Sequence, residues 1–190
     1  MIMLPGDALA ALHGLPLQSL TNIPKLKGIY ALVDHEHHFR YIGSTKGRDF
    51  HNRIHSRHTT GTEENSHKFS WAYNTGRMYR GPKGDDEELM RDRQAAKDLR
   101  TLFIRKHCRA VWMPLEGTRQ EIEELEHSMV WLAPIETVQW NKQRVKSSPP
   151  PEPTELVDAL IEELGIDPLT KARLERQAER YRVAIRKAAA

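Results

Sequence analysis

Two tyrosines, one arginine, a crowd of histidines and a late cluster of glutamates are the residues here whose types and spacing invite chemistry. Tyr30 and Tyr41 lie in the stretch Lys25 to His58, KLKGIYALVDHEHHFRYIGSTKGRDFHNRIHSRH. A free phenol, with a pKa near ~10, is a poor base at neutral pH unless a nearby cation or metal favours its ionised form. Arg53 supplies such a cation, and its planar fork suits a phosphate. His55, Arg57 and His58 crowd the same few turns, so Asp49 to His58 is basic. Basic residues on a helix are usually a solvated face. That reading is weaker here because the cluster directly follows the tyrosines. His35, His37 and His38 form a His-x-His-His that invites a metal site. Zinc would want further ligands arranged tetrahedrally, and the single cysteine, Cys108, is remote, so a solvated loop is the better reading. On numbers alone, any one of Glu121, Glu123, Glu124 and Glu126 is surface charge.

These residues need elements to hold them. Tyr30-Ala31-Leu32-Val33 and Phe39-Arg40-Tyr41-Ile42 read as strands, with Asp34 to His38 as the turn between them. With period-2 alternation Tyr30 shares a face with Leu32, and Tyr41 with Phe39. The two phenols then sit on one surface, at the hairpin end remote from its loop. Met1 to Leu20 contains a short helix around Asp7 to Leu12, stopped by Gly14 and Pro16, that lids one side of the sheet. Ser66 to Asn74 places Phe69, Ala72 and Tyr73 at helical spacing in the core, with His67 and Lys68 toward phosphate. Thr75 to Lys106 opens as a glycine-rich loop. Asp85 to Glu88 then starts a helix whose apolar face is Leu89, Ala96, Leu99 and Phe103. Cys108 to Leu115 reads as a third strand ending at Pro114. Thr118 and Glu121 spell a capping box for a helix that runs to about Leu132.

Residues 143–153 form a proline-rich, semi-rigid linker. Residues 154–190 form a helical tail of two helices, the second starting at Asp167-Pro168. Leu174, Ala178, Tyr181 and Ile185 line one face of that helix; Arg173, Arg176 and Arg180 line another. So short a tail buries little by itself. It docks on the core, pairs with another copy or adds nucleic-acid contacts.

Composition limits the classes. A hydrophobic fraction of 38% and a charged fraction of 29% describe a soluble, polar globular chain. A net charge of +3 with a pI of about 9.0 fits a nucleic-acid partner without demanding one. One cysteine rules out an internal disulfide, no apolar run approaches the length of a membrane span, and the first residues lack a signal-peptide pattern. A cytoplasmic protein is expected.

GIY at residues 28–30, YIG at 41–43 and an arginine on the following helix together resemble the GIY-YIG nuclease superfamily. Leu125-Glu126-His127, then Pro134, then Trp140-Asn141 resemble that family's later glutamate and asparagine. The resemblance spans about Pro24 to Lys142. It implies an α+β fold: a small three-stranded antiparallel or mixed sheet flanked by helices. Here that domain, 24–142, would carry an N-terminal lead-in (1–23), a helical insertion (about 76–106) and the C-terminal helical extension. The implied activity is a divalent-metal-dependent endonuclease that hydrolyses DNA phosphodiester bonds. In that scheme Tyr30 is the base or orients the water, Tyr41 assists, and Arg53 holds phosphate. Glu126 anchors Mg²⁺ (or Mn²⁺), with Glu123 or Glu124 next in line. The family's histidine, one turn after the arginine, meets Arg57 here, because Gly47-Arg48 looks like a two-residue insertion. His58 is the first choice for that role and His55 the second. Lys46, His55, Arg57, His67 and Asn141 are expected to contact substrate. DNA is the expected partner, and the insertion and tail helices are the surfaces open to pairing with a second copy. Two other readings stay open: a catalytically silent nucleic-acid-binding module of the same fold, and a nuclease acting on RNA.

Overall fold

Gly28–Val33 and Phe39–Ser44 form an antiparallel hairpin, β1 and β2. Its loop is closed by Asp34, whose Oδ1 accepts from the backbone N–H groups of Glu36 and His38, each at 2.9 Å. This is the local bonding for which aspartate is favoured in turns. The computed structural model describes residues 3–61 and 67–189; Ser66, expected to open the segment that carries Phe69 and Tyr73, lies outside them. Arg109–Pro114 (β3) pairs with the other side of β1, giving an antiparallel sheet of order β2-β1-β3. The chain is α+β, with a three-stranded antiparallel sheet between helices, as expected.

Central β1 is buried along its whole length, so it feeds two cores. On one face Ile29, Ala31, Ile42 and Val111 pack with Ala8 and Leu12 of α1 (Pro5–Gly14) and with Ile122, Leu125 and Met129 of α4 (Arg119–Leu132). The capping box Thr118–Glu121 starts α4 as expected. At its other end the Arg144 guanidinium donates to the carbonyls of Val130 and Ala133 at 2.5 and 2.6 Å. A cation there satisfies orphan carbonyls and suits the helix dipole. On the opposite face Tyr30, Leu32 and Tyr41 join a larger core with Phe69, Tyr73, Leu99, Phe103, Leu160 and Leu174. Those residues come from α2 (Lys68–Ala72) and the residue after it, α3 (Glu87–His107), α5 (Thr154–Glu163) and α6 (Pro168–Ala189).

One face assignment fails. Phe39 packs on the α1/α4 side, not with Tyr41. The register explains it: Leu32 faces Tyr41 but Val33 faces Phe39, so a bulge at Arg40 resets the alternation.

Both sheet edges are covered. Gln18 exchanges backbone hydrogen bonds with Ala110 on β3, at 2.8 and 3.1 Å. Along β2, Trp140 N–H donates to Arg40 O (2.8 Å), and the Asn141 amide brackets Ile42, accepting from its N–H (3.0 Å) and donating to its carbonyl (2.8 Å). An edge whose ladder groups are bonded this way offers no template to another strand.

The tail docks on the core. Val157, Leu160, Ile161 and Leu174 are buried there, and fully buried Asp92 on α3 binds Arg176 (2.6 Å) and Arg180 (2.7 Å) on α6. Arg77 pairs with Glu152 of the linker (2.6 Å). Arg176 and Arg180 are thus paired with Asp92, and of the three expectations for the tail the structure shows docking on the core. Among the described residues no helix is long and apolar enough to cross a membrane.

Candidate active site

Tyr30 and Tyr41 meet on the α2/α3 side of the sheet, with ring centroids 6.1 Å apart. Gly43 faces Tyr30 across the ladder. A Cβ there would lie 2.5 Å from Tyr41 Cε1 and 2.8 Å from the Tyr30 hydroxyl oxygen, so only the absence of a side chain lets the phenols close together.

The basic segment arrives as a π-helix, His51–Thr59, marked by a Thr60 N–H to His55 O bond of 3.0 Å. Phe50 and Ile54 anchor it in the core, Phe50 edge-on to Tyr30. The wide i→i+5 turn brings residue 58 round onto the face of Arg53; such turns recur at functional sites. His58 is therefore fully buried beside the phenols while Arg57 is exposed, so the structure brings His58, not His55, to the tyrosines. His55 stacks instead on His51, centroids 4.9 Å apart.

His58 has a fixed tautomer. The backbone N–H of Lys68 donates to Nδ1 at 3.0 Å. Nδ1 is thus unprotonated, the ring proton sits on Nε2, and Nε2–H donates to the Tyr30 oxygen at 2.7 Å. Burial, with Arg53, His67 and Lys68 nearby, holds His58 neutral, its pKa well below the ordinary 6.5. Arg53 and Tyr41 also act on the Tyr30 oxygen and favour its ionised form. Burial still dominates and pushes Tyr30 up to about 12. Tyr41 is pushed well above its ordinary 10.0, by burial and then by Tyr30 and Glu126. Of the two phenols, Tyr30 is the one equipped to lose its proton.

Glu126 is the one glutamate of its cluster turned inward. Glu121 is bound in the capping box, Glu123 to Arg119 (2.6 Å), and Glu124 to Gln120 (2.8 Å). Glu126 is buried, and its Oε2 accepts from Ser44 Oγ at the end of β2 at 2.5 Å. Burial raises its pKa, opposed by Ser44, Lys46 and Arg53. Its charge reaches Tyr30, Tyr41 and Arg53, so the four sites form one electrostatic unit.

The donors around Glu126 are hard oxygens, one carboxylate with a serine hydroxyl upon it, which suits Mg²⁺ or Mn²⁺ retaining several waters. Arg53 Nε is buried with no hydrogen-bond acceptor among the described residues. A phosphate oxygen would complete it. A second grouping, Asp34, Glu36 and His38, has ligand atoms within 4.8 Å of one another. Asp34 is already occupied there: Oδ1 by the two loop amides and Oδ2 by Arg40 Nε at 2.5 Å.

The remaining expected contacts divide. Lys46 and Arg57 are exposed, and the charge of Lys46 acts on Glu126. His67 is buried beside His58. Asn141 is buried, and its amide is used up on Ile42, so it holds the β2 edge and is not available to substrate. Sequence reading passed over Ser44 and Gly43, whose roles depend on cross-strand and strand-to-helix neighbours. Comparison of the chain with family models, curated proteins and solved structures yields no match.

Proposed function

We propose that the chain is a divalent-metal-dependent endonuclease that hydrolyses DNA phosphodiester bonds through a GIY-YIG type of active site. The observation that carries the reading is the Tyr30 oxygen, which receives the Nε2–H of His58 at 2.7 Å and lies under the charge of Arg53, with Glu126 in the same unit. The donors at the phenol oxygen favour the phenolate against the burial that opposes it, and a phenolate can take a proton from water.

In this reading Tyr30 accepts the proton of the attacking water, whose oxygen forms the new bond to phosphorus. The ester oxygen leaves and is protonated from solvent. His58 holds the base in place through Nε2–H. Arg53 offers its fork to a non-bridging phosphate oxygen, where charge builds up. Glu126, set by Ser44, would hold the ion, which when bound supplies Lewis-acid neutralisation of phosphate charge. An intracellular, DNA-associated setting goes with this reading.

Purified protein should nick plasmid with Mg²⁺ or Mn²⁺ and not with EDTA. Tyr30→Phe and Glu126→Gln should each lower single-turnover cleavage by ~10²–10³-fold while DNA is still held. Binding without cleavage of any DNA or structured RNA would replace this reading with a silent binding module. Cleavage of RNA alone would change the substrate. Wild-type cutting by Glu126→Gln at saturating metal would remove Glu126 as the anchor.

A further inference from the structure

Lys68 is 6% exposed, yet among the described residues no carboxylate pairs with it. Its backbone N–H is committed to His58 Nδ1, and its ammonium lies over two aromatic faces, 5.4 Å from the Tyr41 centroid and 6.0 Å from that of Trp71. The ammonium of Lys142 approaches the same Trp71 ring at 5.6 Å. Two cations thus share one indole with no counter-charge described between them. An ammonium taken out of water without an anion is costly, and a like neighbour adds to the cost. The effect is visible on Lys68, whose pKa burial, with the charge of Lys142, pulls down to about 8.

The chain holds this arrangement in place. Trp140 packs against Phe69 and Tyr73, Asn141 brackets Ile42, and the next residue is Lys142. The segment that seals the β2 edge therefore delivers the second cation. The pair lies beside the Tyr30–His58 centre: Lys68 reaches it by its backbone, through His58, and by its ammonium, which lies over Tyr41 as well as Trp71.

We propose that Lys68 and Lys142 form a second anion subsite, which takes a phosphate adjoining the one that reacts beside Tyr30. The anion's identity as a strand phosphate rests on the endonuclease reading; the existence of the subsite does not. An anion held by both ammoniums offsets their repulsion and gives Lys68 the counter-charge that no described residue supplies. The substrate is then a strand carrying several phosphates, and an isolated diester fills only half of the site.

Two measurements on the full-length protein test this. The first is NMR of ¹⁵N-lysine side chains with inorganic pyrophosphate as probe, the Lys68 signal being assigned with Lys68→Arg. The Lys68 signal should shift on titration, and Lys142→Met, at an exposed position, should weaken pyrophosphate binding about tenfold. The second is the salt dependence of duplex binding in EDTA, whose slope should fall by roughly one for each of Lys68→Met and Lys142→Met. If cleavage is present, KM should rise in Lys142→Met with kcat nearly unchanged. A Lys68 signal indifferent to pyrophosphate, or Lys142→Met binding it like wild type, overturns the subsite whether or not the protein cleaves. Pyrophosphate bound by both lysines in a protein that cuts no nucleic acid keeps the subsite and overturns the endonuclease.

Discussion

Gly43→Ala is the smallest change that tests the geometry of the phenol pair. The added methyl would lie 2.5 Å from Tyr41 Cε1, 2.8 Å from the Tyr30 hydroxyl oxygen and 2.9 Å from Tyr30 Cζ. All three contacts are shorter than real Cβ atoms tolerate, and both rings are buried, so neither can swing into solvent. Relief requires both rings to shift, and overpacking of this kind costs about 1–3 kcal/mol. For a 190-residue chain each kcal/mol lowers Tm by roughly 2–4 °C, so a drop of about 2–12 °C is expected. Displacing the Tyr30 oxygen from His58 Nε2–H should also cost about 10²-fold in cleavage, the scale of a 1 Å misplacement. The assays are thermal unfolding and single-turnover cleavage, with Gly14→Ala as control. Gly14 closes α1 with nothing within 4 Å of its added Cβ, so its alanine variant should be at least as stable as wild type. A Gly43→Ala protein that melts and cuts like wild type refutes the packing of the two rings over Gly43.

Asn141→Ala should destabilise by about 1–3 kcal/mol, because it leaves the N–H and carbonyl of Ile42 without their side-chain partner; an unchanged urea midpoint counts against the bracket. Cleavage should rise nearly tenfold per pH unit between pH 6 and 8, since Tyr30 ionises only near 12; a flat single-turnover profile argues against Tyr30 as base. Stability should rise from about pH 8 to pH 10, because the unfolded chain keeps on Lys68 (ordinary value 10.5) the proton that the folded chain loses near 8. Urea titrations at several pH values read that slope, and Lys68→Met should flatten it. Asp92→Ala should cost about 2–4 kcal/mol and leave the salt slope of DNA binding unchanged; a changed slope would return Arg176 and Arg180 to the nucleic-acid surface.

What was legible in the sequence was carried by local spacing. Hairpin, caps and turns depend on neighbours within a few residues, so β1, β2 and the start of α4 fall where their residues place them. The meeting of Tyr30 with Tyr41 also needs the register in which Leu32 faces Tyr41, which the bulge at Arg40 sets. Phe39 was misassigned because a bulge leaves no mark in the polar-apolar pattern, and one extra residue at Arg40 reverses a side chain's face. The histidine was ambiguous for a related reason. A 3.6-residue helix puts Arg57 below Arg53, and only the i→i+5 turn substitutes His58.

Side chains that meet across long separations were the least legible, and among these the charges mattered most. Arg176 and Arg180 sit on one helical face with Arg173, which from sequence is a basic stripe open to phosphate. Their partner Asp92 is one acid among several on α3, and nothing local distinguishes it from Asp98, which stays exposed. Burial decides: a carboxylate with no exposure must be paired, whereas exposed acids need no partner. The same reasoning in reverse singles out Lys68. It is a buried cation for which the fold supplies no acid among the described residues, while α3 supplies one to two half-exposed arginines. If the anion subsite at Lys68 and Lys142 holds, anion affinity is concentrated beside the tyrosine pair, because the tail's arginines are paired and no described acid pairs with Lys68. Nucleic-acid affinity should therefore follow substitutions around Trp71 rather than the number of arginines on α6.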